Sequence, residues 1–267
     1  MSGLFNPTVA WITTRATLGR KRALLFVIPG VILIFVTLAL KLSRPPARPW
    51  PSHVLGTFGF SVLLPLTALI IGSSVLGAEI DDGSIIHLLA TPVRRSSVIM
   101  TKFFVSTVLT MIFAAIPELI AALISGGGYT EPVFKGTLNG PPILVTPATL
   151  INNADFAIGL FVGALVGAVI YNAIFVMVSA ATTRAIAVGL LYVLIWEALL
   201  SNFVSGARLL SVGHYALGIA NAIAHDTTLD AGLNVATSVI MGAIVTVAAL
   251  ALAIRLLSSF TLKGEPA

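Results

Sequence analysis

Six long apolar stretches run between about Ala23 and Leu257, and no water-soluble fold of this size can hide them all. The chain has 267 residues, of which 57% are hydrophobic and only 9% charged. Soluble domains carry about 25% charged residues, and roughly half of their exterior is already apolar. Lipid is therefore the solvent for most of these side chains. The stretches fit helical spans of roughly 20 residues, and they lack the strict alternation of transmembrane strands. The reading is an all-α membrane protein with six transmembrane helices at about 23–40, 54–78, 98–124, 156–181, 185–203 and 233–257.

The pieces between the spans carry the rest of the information. Residues 1–22 hold Trp11, Ile12, Arg15, Leu18 and the run Arg20-Lys21-Arg22. They suit a helix lying in the headgroup layer, with a cytoplasmic tail as the alternative. This N-terminus does not read as a cleavable signal. Pro29-Gly30 predicts a kink in the first span, and Ser96-Ser97 are N-cap candidates for the third. The loop 125–155 is too polar and too broken by glycine and proline to span, and too long for a bare connector. Residues 204–231 are apolar only in short pieces, which predicts a re-entrant or interfacial hairpin before the last span. Residues 258–267 form a tail.

The net charge of +5 does not point to nucleic acid here, because the basic residues flank the spans. With the N-terminus inside, ten Lys and Arg fall on the cytoplasmic side and five outside, so both termini are expected in the cytoplasm of a cell membrane protein. The chain has no cysteine, which removes disulfides and thiolate chemistry. Its four histidines show no metal-ligand spacing, and no nucleophile motif is present, so no catalytic or metal site is expected.

One polar signature stands out, from Glu79 to Arg95 between the second and third spans. Asp81, Asp82, Gly83 and Ser84 supply a turn and an N-cap. Ile85, Ile86, Leu88 and Leu89 place apolar residues on about two helical turns, and Pro92 ends them. Arg94 and Arg95 then meet the membrane surface. A short amphipathic helix with an acidic approach is repelled by anionic headgroups. It suits docking to a soluble protein.

Glu79, Gly83, Ser84, Leu88, Leu89, Pro92, Val93, Arg95 and the following Lys102 resemble the coupling-helix region of type-2 ATP-binding-cassette (ABC) export permeases. The six-span layout and the broken hairpin before the last span are similar as well, so the resemblance covers nearly the whole chain. Ser84 stands where threonine is common, and the long loop 125–155 is absent from compact members. The resemblance implies the membrane subunit of an ATP-driven exporter. It further implies a second permease copy or a close relative, and two separate ATPase subunits that hold ATP and Mg. The chain has no Gly-x-x-x-x-Gly-Lys-Ser/Thr phosphate loop of its own, in keeping with a non-enzymatic transport subunit. The competing reading is a secondary transporter driven by an ion gradient. It calls for midplane ionisable groups and internal repeats, and the sequence shows few of the first and no clear case of the second.

Two further patterns belong inside the spans. Gly159, Gly163 and Gly167 recur every four residues and give one flat helix face, for packing within the subunit or between subunits. Glu118 and Glu197 are the only acidic residues inside spans. Each is either a polar point on a translocation path or a carboxylate solvated by nearby headgroups.

Overall fold

A computed structural model describes residues 5–19, 22–43, 49–81, 94–130, 132–137, 140–146, 149–201, 205–229 and 231–258. Helix α1 (Pro7–Thr17) opens with Asn6 in an extended conformation, its side chain accepting from the N–H groups of Thr8 and Val9. Pro7 then fits the first turn, where its missing N–H costs nothing. Val9, Thr13 and Thr17 form the buried face, while Trp11 and Ile12 point outward. Helix α2 (Arg22–Ser43) runs through Pro29. It buries Phe26, Leu33 and Thr37 and exposes Leu24, Ile28, Val31 and Phe35 on a face suited to lipid.

The second and third apolar stretches share one device. The second begins as a π-helical segment, Ser52–Leu63, and continues as α3 (Leu64–Asp81). The third is α4 (Arg95–Thr110), a π turn at Met111–Ala115, and α5 (Ile116–Ser125). A proline ring collides with the carbonyl four residues before it. For Pro65 and Pro117 those carbonyls belong to Ser61 and Phe113, and both lie in the wider π turns. Helix α4 starts at Arg95 after Arg94, with no side-chain cap. Ser96 and Ser97, expected as caps, sit instead inside its first turn.

The loop 125–155 is more ordered than its broken composition predicts. Strands β1 (Tyr129–Thr130) and β4 (Thr149–Leu150) pair antiparallel, as do β2 (Val133–Thr137) and β3 (Gly140–Thr146). The result is a small two-step β appendage on an otherwise helical protein.

Helix α6 (Asn153–Ala181) is the centre. It is followed by α7 (Ala185–Leu191), a π segment at Tyr192–Leu200, a 3-10 turn at Ser205–Leu210, α8 (Val212–Ala224) and α9 (Val235–Ser258). Among the described residues, five helical stretches are long and apolar enough to cross a membrane, whereas Ala185–Leu200 is shorter. At about 1.5 Å per residue it reaches roughly 24 Å, less than the ~30 Å hydrocarbon core. The thirteen residues of α8 fall further short of a crossing.

Helix α6 packs against α3, α5, α8 and α9. The glycine face faces inward within the chain. A Cβ placed on Gly159 or Gly163 would lie 2.6 Å from the carbonyl oxygens of Ala220 and Ala216, and one on Gly167 would lie 2.7 Å from Leu64. The backbones of α6 and α8 approach so closely only because the glycines are bare and α8 answers with Ala216, Ala220 and Ala224.

This contact predicts that Gly163→Leu drives α8 off α6. Overpacking of this kind costs about 1–3 kcal/mol. The expected result is a lowered unfolding midpoint in detergent, with Val162→Leu on the same helix near wild type.

Candidate functional site

The signature between the second and third spans is framed by helices on both sides. The backbones of Glu79 and Asp81 lie in the last turns of α3. Asp82, Gly83, Ser84, Leu88, Leu89 and Pro92, and with them the expected two-turn helix, lie outside the described residues. Description resumes at Arg94, which is exposed, and Arg95, which opens α4.

The first two turns of α4 grip three neighbours. Arg95 Nη1 donates to the carbonyl oxygens of Leu257 and Ser258, at 2.8 and 2.6 Å, at the end of α9. Lys102, fully buried, donates from Nζ to the Val75 carbonyl at 2.6 Å, near the end of α3. Thr101 Oγ1 accepts from the Asn6 N–H at 3.0 Å and so holds the start of α1. Phe5 adds an edge-on contact to Phe104 at 5.5 Å. Arg95, at the C-terminal end of α9, meets carbonyls without intrahelical partners and the negative end of the helix dipole. The two helices that flank the signature are thus tied to each other and to α1 and α9.

The two carboxylates inside the apolar stretches have opposite surroundings. Glu197 is fully buried, and four hydrogen bonds reach its carboxylate from described residues. Its Oε1 takes the Tyr192 hydroxyl and the Val212 N–H, both at 2.9 Å. Its Oε2 takes the Ser211 hydroxyl at 2.6 Å and the Gly213 N–H at 3.3 Å. A carboxylate at the N-terminus of α8 meets free N–H groups and the positive end of the dipole. Ser211 caps the same helix through the His214 N–H. Glu118 is 4% exposed. Its Oε1 has no hydrogen-bond partner among the described residues. It faces Gly59, where a Cβ would lie 2.7 Å from Oε2, and borders a small cavity with Pro29, Leu33, Phe60 and Ala114.

A third buried carboxylate was not singled out from sequence. Asp226, after α8, accepts the Ser52 hydroxyl at 2.5 Å, the Tyr129 N–H at 3.2 Å, and the Thr228 N–H and hydroxyl at 2.8 and 2.6 Å. It joins the start of the second apolar stretch to the base of the β appendage. The Asp226-Thr227-Thr228 order is a recognisable side-chain turn, yet its long-range partners have no local signal. Among the described residues no group of three or more His, Cys, Asp or Glu is gathered to hold a metal.

The contrast between Glu197 and Glu118 makes a prediction. Glu197→Gln turns an amide NH2 toward two donors and is expected to cost at least about 2 kcal/mol in detergent unfolding, because buried donors lose their acceptor. Glu118→Gln breaks no hydrogen bond among the described residues and is expected to cost less than Glu197→Gln in the same measurement.

The family model described as "ABC-2 family transporter protein" matches residues 18–204, well over half of the chain. Comparison with curated proteins finds no match.

Proposed function

The chain belongs to the ABC-2 transporter family, and from that premise we propose that it is the permease subunit of an ATP-driven exporter in the cell membrane. The observation that carries the reading is the position of the signature. It falls within the matched region, between the two helices that Lys102 ties together. In this reading Glu79, Asp81, Asp82, Gly83, Ser84, Leu88, Leu89, Pro92, Arg94 and Arg95 form the docking surface for a separate ATPase. That partner binds ATP and Mg. Movement of the segment would pass to α3 and α4 directly, and to α1 and α9 through Thr101 and Arg95.

The rest of the assembly follows from the same reading. The stretch 185–203 acts as the fifth of six crossings, with both termini in the cytoplasm. Two permease chains, identical or closely related, pair around a path, and two ATPases dock beneath them. Glu118 and Glu197 are the polar points toward the outer end of that path, and the 204–231 hairpin sits over it. The saturated carboxylate of Glu197 supports a holding role at the base of this hairpin, and the bare carboxyl of Glu118 supports a place beside a changing cavity.

The test is co-purification of the chain with its cognate ABC ATPase. Replacing Leu88 and Leu89 together by Asp is expected to reduce the bound ATPase at least about tenfold while leaving the unfolding midpoint unchanged. Equal retention and equal ATPase rates would remove the docking assignment. The mass of the detergent-solubilised complex should correspond to two permeases and two ATPases. A single permease per complex would contradict the assembly.

A further inference from the structure

A cleft of about 630 Å³ opens between the start of α2, the second half of α3 and the first turns of α7. Its walls are graded. At one end stand Thr183, Arg184 and Gly77, then Ser74 and Ser73, and deeper in lie Ile70 and Leu190. From Gly77 to Ile70, at 1.5 Å per residue, the cleft descends about 10 Å. Leu25 and Ile186 on its rim are at least half-open to the surroundings, so it is accessible from the side. Its volume lies in the range of small-molecule sites.

Among the described residues the only charged side chain lining this cleft is that of Arg184. Arg184 is exposed, and its guanidinium has no hydrogen bond or ion pair among the described residues. Ser73 and Ser74 have already donated their hydroxyl protons to the carbonyls of Leu69 and Ile71, at 2.5 and 2.8 Å. Among the described residues no carboxylate lines the cleft. An occupant must therefore bring its own anion to the mouth and an apolar chain to the depth. We propose that this cleft is a binding site for an anionic phospholipid taken from the surrounding leaflet. The phosphate and its net negative headgroup pair with Arg184, and the first half of one acyl chain runs along Phe26, Ile70, Ile186 and Leu190.

The acyl chain alone cannot select an occupant, because the bilayer offers it an equally apolar environment. Selection lies in the headgroup. Zwitterionic lipids present a phosphate too, but their ammonium offsets it. One basic residue at a membrane surface favours an anionic lipid by about fivefold. The site is defined by the cleft and its arginine, and neither depends on the ATPase reading.

The absence of cysteine makes the test direct. Ser74→Cys, labelled with bimane, reports from inside the cleft in the full chain reconstituted in phosphatidylcholine vesicles. Adding brominated phosphatidylglycerol should quench the label at about fivefold lower mole fraction than brominated phosphatidylcholine, and Arg184→Gln should make the two equal. Ile186→Cys on the rim serves as the second reporter if Ser74→Cys lowers folding yield. Equal quenching by both lipids with Arg184 intact would overturn the proposal, as would a preference that survives Arg184→Gln. Absence of quenching by either lipid, with the label shielded by a second copy of the chain, would overturn it as well.

Discussion

The contact on which the rest of the bundle depends is the close approach of α6 to its neighbours. In lipid, helices gain little from hiding apolar surface against each other, so association rests on fit and on backbone proximity. Helix α6 meets that condition on several sides. Its glycine face admits the carbonyls of α8, and its Asn172 donates to Thr110 of α4 at 2.9 Å. Ser179 donates to the Ser73 carbonyl of α3 at 3.2 Å. Phe156, Leu160, Tyr171 and Phe175 complete the apolar core. Helices α2 and α9 lie farther out and show long exposed apolar faces.

Around this centre, polar groups are placed according to a single rule. Backbone groups that cannot reach water need partners from within the chain. At one end the partner is a cation, with Arg95 serving the last carbonyls of α9, while Lys102 bridges to a carbonyl within α3. Toward α8 the partners are anions, with Glu197 serving N–H groups at the start of that helix and Asp226 serving Tyr129 beyond its end. The Glu118 side chain, by contrast, keeps Oε1 without a partner among the described residues. It lies where a π turn, Pro117 and the π-helical start of the second stretch converge. Departures from regular helix are frequent at functional positions, and this one combines irregular backbone with an unsatisfied side chain.

Much of the helical layout was legible because lipid dictates both length and composition. The spans at 98–124 and 156–181 coincide with helical stretches, and α1 falls within the expected N-terminal segment. Charge in an apolar run is conspicuous, so Glu118 and Glu197 could be picked out. Their different surroundings could not. The donors that hold Glu197 come partly from residues 211–213, more than ten positions away in sequence, and two of them are backbone N–H groups with no residue signature. Lys102 was visible only as part of a motif, since its acceptor at Val75 is likewise a main-chain oxygen. The β appendage escaped because proline and glycine punctuate strands β2 and β3, and its register shifts at Val133–Phe134 and Lys135–Thr137 blur the alternation.

Asp226 also sets a schedule for how the molecule is made. Its acceptor oxygens close contacts with Ser52, 174 residues earlier, and with Tyr129, 97 residues earlier. At roughly 5–20 residues per second, Tyr129 leaves the ribosome about 5–20 s before its partner does. During that interval the start of the second apolar stretch and the base of the β appendage hold no anchor from this carboxylate. The opposite end can settle sooner in one respect, because Lys102 meets Val75 only 27 residues away. The membrane domain is therefore expected to mature from the Lys102 end toward the Asp226 end, and a nascent chain stalled before residue 226 would carry its far end unfastened.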